Sequence, residues 1–123
     1  MCIRDSSSGN HGAALAAVAE ELGIPATIVV PRGASAFKRA AILRYGGEIV
    51  NCGSTLKARE TTLARIQASS KAHFIPPYDH PAIIAGQGTA ALEILEQDPD
   101  VDEIWTPVGG GGLAAGSLSL IHI

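Results

Sequence analysis

This sequence predicts an α/β protein: a three-layer αβα arrangement built on a parallel, doubly wound sheet. Short apolar stretches alternate with longer helical ones along most of the 123 residues, the order in which each strand is followed by a crossover helix. One stretch, Ala26-Thr27-Ile28-Val29-Val30, carries no charge on either of its alternating faces, as a strand covered on both sides requires. Glycines also cluster at helix starts, in Gly9-Asn10-His11-Gly12 and in Gly109-Gly110-Gly111-Gly112, the kind of place where parallel sheets bind ligands.

Local chemistry sets each element in turn. Asn10 to Leu22 is an alanine-rich helix that Gly23 ends, because glycine accepts a left-handed C-terminal position without a Cβ clash. Ala26 to Val30 is a strand stopped by Pro31. Ser35 caps a helix that runs to Tyr45 and ends at Gly46-Gly47, and Glu48 to Asn51 is the next strand. Ser54 to Ser69 is a charged helix with an apolar stripe at Leu56, Leu63 and Ile66. His73 to Ile75 is a third strand, Asp79-His80-Pro81 a helix-start turn, Pro81 to Glu96 a helix and Glu103 to Pro107 a fourth strand.

Composition narrows the function classes. A hydrophobic share of 46% is ample for one core, and the chain has the length of one ordinary domain. A net charge of −3 with nine Lys and Arg argues against a nucleic-acid surface. No apolar run approaches a membrane span, and the first residues do not form a secretory signal. Cys2 and Cys52 have neither metal nor disulfide spacing and fit a reducing cytoplasm, which is the expected compartment; no metal site is expected.

The residues 107–113, Pro-Val-Gly-Gly-Gly-Gly-Leu, follow a strand-like stretch and open a small-residue helix. Four glycines without Cβ atoms let successive N–H groups turn toward one point, which at a helix N-terminus suits a phosphate. The alternative is a flexible turn and nothing more. Upstream, Ser7-Ser8-Gly9-Asn10-His11-Gly12 opens the first helix. By residue type alone Asn10 could simply cap that helix. Lys38, Lys57 and Lys71 read as solvated, Arg59 as a helix-surface residue and Cys52 as a buried filler.

Together these motifs resemble the serine/threonine dehydratase and serine racemase group, enzymes that use pyridoxal 5'-phosphate (PLP) on the fold type II, tryptophan synthase beta-like scaffold. Ile24 to Pro31, Tyr45-Gly46-Gly47-Glu48-Ile49-Val50, and Phe74 to Pro81 with Ile84-Ala85-Gly86-Gln87-Gly88-Thr89 resemble the same group in the same order, so the resemblance runs from about Ser7 to Gly116. It implies a small domain over 7–78 and part of a large, PLP-binding domain over 79–117. It further implies that Gly109, Gly110, Gly111 and Gly112 with the Leu113 backbone hold the cofactor phosphate, and that Asn10 hydrogen-bonds the cofactor's ring oxygen. Ser7 and Ser8 would bind the substrate carboxylate, and Ser8 also matches the acid-base serine of racemising members; His11 would be at most a substrate-side contact, a histidine in a first helical turn being more often structural. A bare serine is a poor base near neutral pH, so that role needs an activating environment. Ala13 departs from the glutamine common after His-Gly in relatives, which puts in doubt any effector site built on that side chain.

The family's Schiff-base lysine lies in a Ser-Phe-Lys-type motif upstream of the asparagine loop, and Phe37-Lys38 stands in the wrong place to supply it. Residues 1–6 and 118–123 bear no relation to the family pattern and are expected to be foreign to it, the chain being an internal fragment. The resemblance thus implies a parent PLP-dependent L-threonine/L-serine dehydratase, a homo-oligomer acting on a small amino acid, with this piece inactive alone. Serine racemase is the alternative; cysteine synthase and threonine synthase fit less well, because their phosphate loops interleave threonine among the glycines. A dinucleotide-binding domain would need G-x-G-x-x-G and a following acidic strand end. A non-catalytic binding protein remains the reading outside the enzymes.

Overall fold

The computed structural model describes residues 3–5, 9–69 and 72–121, with the backbone alone at Arg4, Asp5 and Ile121. The chain divides into two compact units, Met1–Ile75 and Pro76–Ile123. The division falls between Ile75 and Pro76, ahead of the boundary after Tyr78 read from the sequence, because Tyr78 packs with residues of the second unit.

The first unit holds β1 (Ile3–Asp5), α1 (Asn10–Glu21), β2 (Ala26–Pro31), α2 (Ala36–Arg44), β3 (Glu48–Cys52), α3 (Leu56–Ala68) and β4 (His73–Phe74). Its sheet has the order β3-β2-β1-β4 with every pair parallel. Ile3 lies beside both Ala26 and His73, and the β2–β3 register runs from Thr27 opposite Glu48 to Pro31 opposite Cys52. The chain therefore winds outward from β1 through β2 to β3 and then returns to the other side of β1. Such a reversal is what makes a sheet doubly wound.

Burial follows the alternation of β2. Ile28 and Val30 point to one face, where they meet Ala16 of α1 and Ile42 of α2. Val29 points to the other, where it meets Cys52 and Leu63 of α3. Ile28, Val29 and Val30 are fully buried, so each contributes roughly 1.5–3 kcal/mol of hydrophobic stabilisation. A third cluster, Ile3, Ala19 and Ala26, packs β1 beneath α1. The one polar member of β2, Thr27, is buried and donates to Glu48 Oε2 across the strands at 3.1 Å. Gly23 ends α1 with a φ of +65°, the left-handed conformation expected of it. Leu56 departs from the predicted stripe: as the first residue of α3 it is exposed, while Leu63 and Ile66 face the core.

The second unit contains α4 (Pro81–Gln97) and α5 (Gly112–Ile121). They run parallel and pack through their glycines. A Cβ on Gly116 would strike the Ile84 carbonyl oxygen and stand 2.6 Å from the Gly88 nitrogen, and one on Gly88 would stand 3.0 Å from the Gly116 carbonyl.

One expectation needs correction. Glu103–Pro107 forms no strand; a strand needs a hydrogen-bonded neighbour, the second unit offers none among the described residues, and Trp105 lies exposed. Part of the segments expected to be foreign to the family pattern falls among the described residues. Ile3–Asp5 is an inner strand of the sheet, and α5 continues through Ile121 with Leu120 placed against Gly88.

Gly116→Ala is expected to destabilise the second unit by about 1–3 kcal/mol, because the two backbones must separate. Gly86→Ala, where a Cβ meets nothing within 4 Å, should instead stabilise by roughly 0.5–1 kcal/mol. Urea unfolding midpoints of the two variants check both signs.

Candidate functional site

Ligands of doubly wound sheets sit beyond the carboxyl ends of the strands, where the winding reverses. Here the reversal lies between β1 and β4. The residues that leave β1 at that point lead directly to Gly9 and Asn10, the start of α1. Ser7 and Ser8, the predicted substrate and acid-base residues, lie outside the described residues, as does Lys71.

α1 begins without a side-chain cap: its N-cap is Gly9, in extended conformation. Asn10 is the first helical residue rather than the cap, so the alternative reading of it as a capping residue does not hold. Its carboxamide is exposed. His11 is half-buried and hydrogen-bonded to the backbone of Ile75, just past β4, so it ties the start of α1 across the reversal point. Burial is the larger influence on its imidazole and pulls the pKa below the ordinary histidine value, with the Ile75 bond opposing it.

In the second unit Gly109 and Gly110 are exposed and Gly112 is buried. Gly111 has a φ of +89°, a conformation that a side chain would strain, and its carbonyl accepts the first α5 bond from the Ala115 N–H at 2.8 Å. Among the described residues none of the N–H groups from Gly110 to Ala114 donates to a backbone carbonyl. Glycine at this cap position offers no side-chain acceptor either. The remaining helices differ. Ser35 Oγ accepts from the Lys38 N–H of α2 at 3.4 Å, Thr55 Oγ1 from the Ala58 N–H of α3 at 3.1 Å, and His80 Nδ1 from the Ala82 N–H of α4 at 3.2 Å. The helices that begin in the two predicted motifs are thus the ones with glycine caps.

The glycine loop is not isolated. A Cβ on Gly110 would overlap the ring of Tyr78, and one on Gly112 would stand 3.1 Å from the Tyr78 carbonyl oxygen. Tyr78 was not among the residues singled out from the sequence; the Pro-Pro-Tyr-Asp-His-Pro turn read as a boundary, and the contact is long-range. A cavity of about 480 Å³ between α4 and α5, lined by Pro81, Ile84, Gly88, Gly116 and Leu120 among others, holds no titratable group. Cys52 is buried and its thiol pKa is raised, chiefly by desolvation and against the influence of Arg59, which fits a filler and not a nucleophile. Among the described residues no three His, Cys, Asp or Glu side chains gather as a metal site, and no helix is long and apolar enough to cross a membrane.

The lowered His11 pKa carries a signed consequence. The folded state binds this proton less readily than the unfolded chain, so the stability tied to a neutral His11 is present above about pH 6.5 and is lost as pH falls below it. Thermal melts between pH 7.5 and 5.5 should show a smaller loss of Tm for His11→Gln than for the unaltered chain.

Comparison with known proteins agrees with this geometry. Over 116 residues the chain is 43% identical to the biosynthetic L-threonine dehydratase IlvA of Pasteurella multocida, covering 94% of this chain and 23% of that one. Over 110 residues it is 50% identical to mouse serine racemase, covering 89% of this chain and 32% of the relative. Among solved structures, maize serine racemase superposes with a TM-score of 0.88 at 43% identity, over 94% of this chain and 35% of that one. A cysteine synthase of Entamoeba histolytica, at 22% identity and a TM-score of 0.81, shares the fold. The chain spans about a quarter to a third of the length of these relatives. Residues 1–121 match the family described as pyridoxal-phosphate dependent enzyme, and the chain belongs to that family, on the fold type II, tryptophan synthase beta-like scaffold.

Proposed function

We propose that the chain is part of a PLP-dependent L-threonine/L-serine dehydratase, converting a hydroxy amino acid to a 2-oxo acid and ammonia. The observation that carries this reading is the pair of glycine-capped helix starts, at Gly9 and at Gly111, set against three helices capped by side chains. A helix start without a side-chain cap, at the positive end of the helix dipole, favours an anion. A phosphate ester and an amino-acid carboxylate are the two anions that such an enzyme must hold. When bound, PLP supplies an acceptor for the electron pair left as the substrate Cα proton departs.

The chain's own residues take the following roles. The Gly109–Gly112 loop and the Leu113 N–H hold the phosphate; glycine at each position lets the backbone approach closely. Asn10, exposed and not spent on capping, donates its neutral amide to the ring oxygen and polarises it without adding charge. Ser7 and Ser8 bind the substrate carboxylate. His11 works beside them as a neutral, anchored group that keeps the start of α1 in place. No residue of this segment is assigned to the Schiff-base lysine, which the family motif sets upstream of the asparagine loop. The parent is a cytoplasmic homo-oligomer.

Serine racemase is the second reading, favoured by the 50% identity to the mouse enzyme. Both reactions begin with removal of the Cα proton. Racemisation then needs a group on the opposite face to return it, and Ser8 is the residue for that role.

The test is the intact gene, read through both ends of this segment, expressed and supplied with PLP and L-threonine or L-serine. PLP-dependent release of 2-oxo acid is the expected result, and Asn10→Ala should lower kcat at least about tenfold, the effect of losing one hydrogen bond of roughly 1.4 kcal/mol. D-serine in place of 2-oxo acid would assign the parent to the racemases. Neither product would reject both readings.

A further inference from the structure

The geometry points to Tyr78 as a positioning residue for the phosphate-binding loop, the template over which Gly110, Gly111 and Gly112 are folded. This inference rests on the reading of Gly109–Gly112 as the phosphate site. A Cβ built on Gly110 falls against Cγ and Cδ1 of Tyr78 and 2.8 Å from its Cβ. A Cβ on Gly112 falls 3.1 Å from the Tyr78 carbonyl oxygen and 3.2 Å from its Cα. Gly110 is thus required by the ring behind the loop and Gly112 is backed tightly by the Tyr78 backbone, whereas Gly111 is required by its positive φ. A Cβ on Gly109 meets nothing within 4 Å.

Tyr78 is itself held firmly. Pro76 and Pro77 precede it and restrict its backbone. Its carbonyl accepts from the His80 N–H at 3.1 Å, and His80 caps α4 through Nδ1. The carbonyl of His80 in turn accepts from the Ile84 N–H at 2.9 Å, so Tyr78 is fastened to the first turn of a 17-residue helix. Four successive glycines have more backbone freedom than any other tetrapeptide, and an unsupported run would lose its N–H convergence. The Tyr78 ring and backbone supply the missing support from a rigid neighbour. The phenol oxygen is not needed for this; the ring's bulk is.

The test is calorimetric titration of the chain with pyridoxine 5'-phosphate and with pyridoxine. Neither has an aldehyde to react with surface lysines, and the ratio of the two affinities isolates the phosphate. Circular dichroism confirms that each variant is folded. Tyr78→Ala is expected to reduce the preference for the phosphate ester at least tenfold while leaving pyridoxine binding unchanged, and Tyr78→Phe should keep the preference. Gly110→Ala should also lose it. The double variant Tyr78→Gly with Gly110→Ala should bind no worse than the poorer of its two single variants, since the new methyl enters space that both the ring and the Cβ have left. Full preference in Tyr78→Ala, loss in Tyr78→Phe, or strictly additive losses would overturn the inference while leaving the phosphate site standing. If the unaltered chain does not prefer the phosphate ester, the phosphate-site reading falls and the role of Tyr78 falls with it.

Discussion

The three residues of β1 carry the first unit. Ile3 pairs on one side with Ala26 and on the other with His73, so β1 is the link between β4 and the β2–β3 pair. It also covers the end of α1 through Ile3, Ala19 and Ala26. Without a parallel neighbour on each side, β4, only His73–Phe74 and exposed at both positions, would have nothing to add to. The reversal of winding at β1 exists because two crossovers leave it in one direction and the third returns past it. The position of Asn10 follows from that topology alone.

A second regularity lies in how helices begin. Where a helix only supports the sheet or its neighbour, a serine, threonine or histidine satisfies its first N–H groups. Where it opens from a motif tied to the cofactor family, glycine stands at the cap and no side chain fills that place. A side-chain cap is worth about 1 kcal/mol. Omitting it forgoes that stabilisation and keeps the helix start clear of a side chain. The same sequence thus separates helices that hold the fold from helices that present a backbone edge.

Much of this was legible residue by residue. The unbroken apolar stretch Ala26–Val30 announced a strand covered on both faces, Ser35 and Gly23 marked helix ends through local bonding, and the glycine motifs announced helix starts without a side-chain cap. What was not legible depends on distant partners. Ile3–Asp5 is too short for any periodicity, and only its two neighbours make it a strand. Glu103–Pro107 has strand-like residues but no ladder in which to use them. Tyr78 looked like part of a turn, since nothing in Pro-Pro-Tyr-Asp reveals a glycine loop lying against the ring. Leu56 obeyed the helical spacing yet, as the first residue of α3 and two turns ahead of Leu63, does not reach the core.

The contact of Gly88 with Gly116 has a mechanical consequence. Helices separated by side chains can slide, because rotamers adjust to take up the displacement. Here the Gly116 backbone stands directly on the backbones of Ile84 and Gly88, with no side chain between to yield. Rotamer changes at this crossing cannot absorb a shift of α5 along α4, so any adjustment between the two helices has to come from the backbone itself.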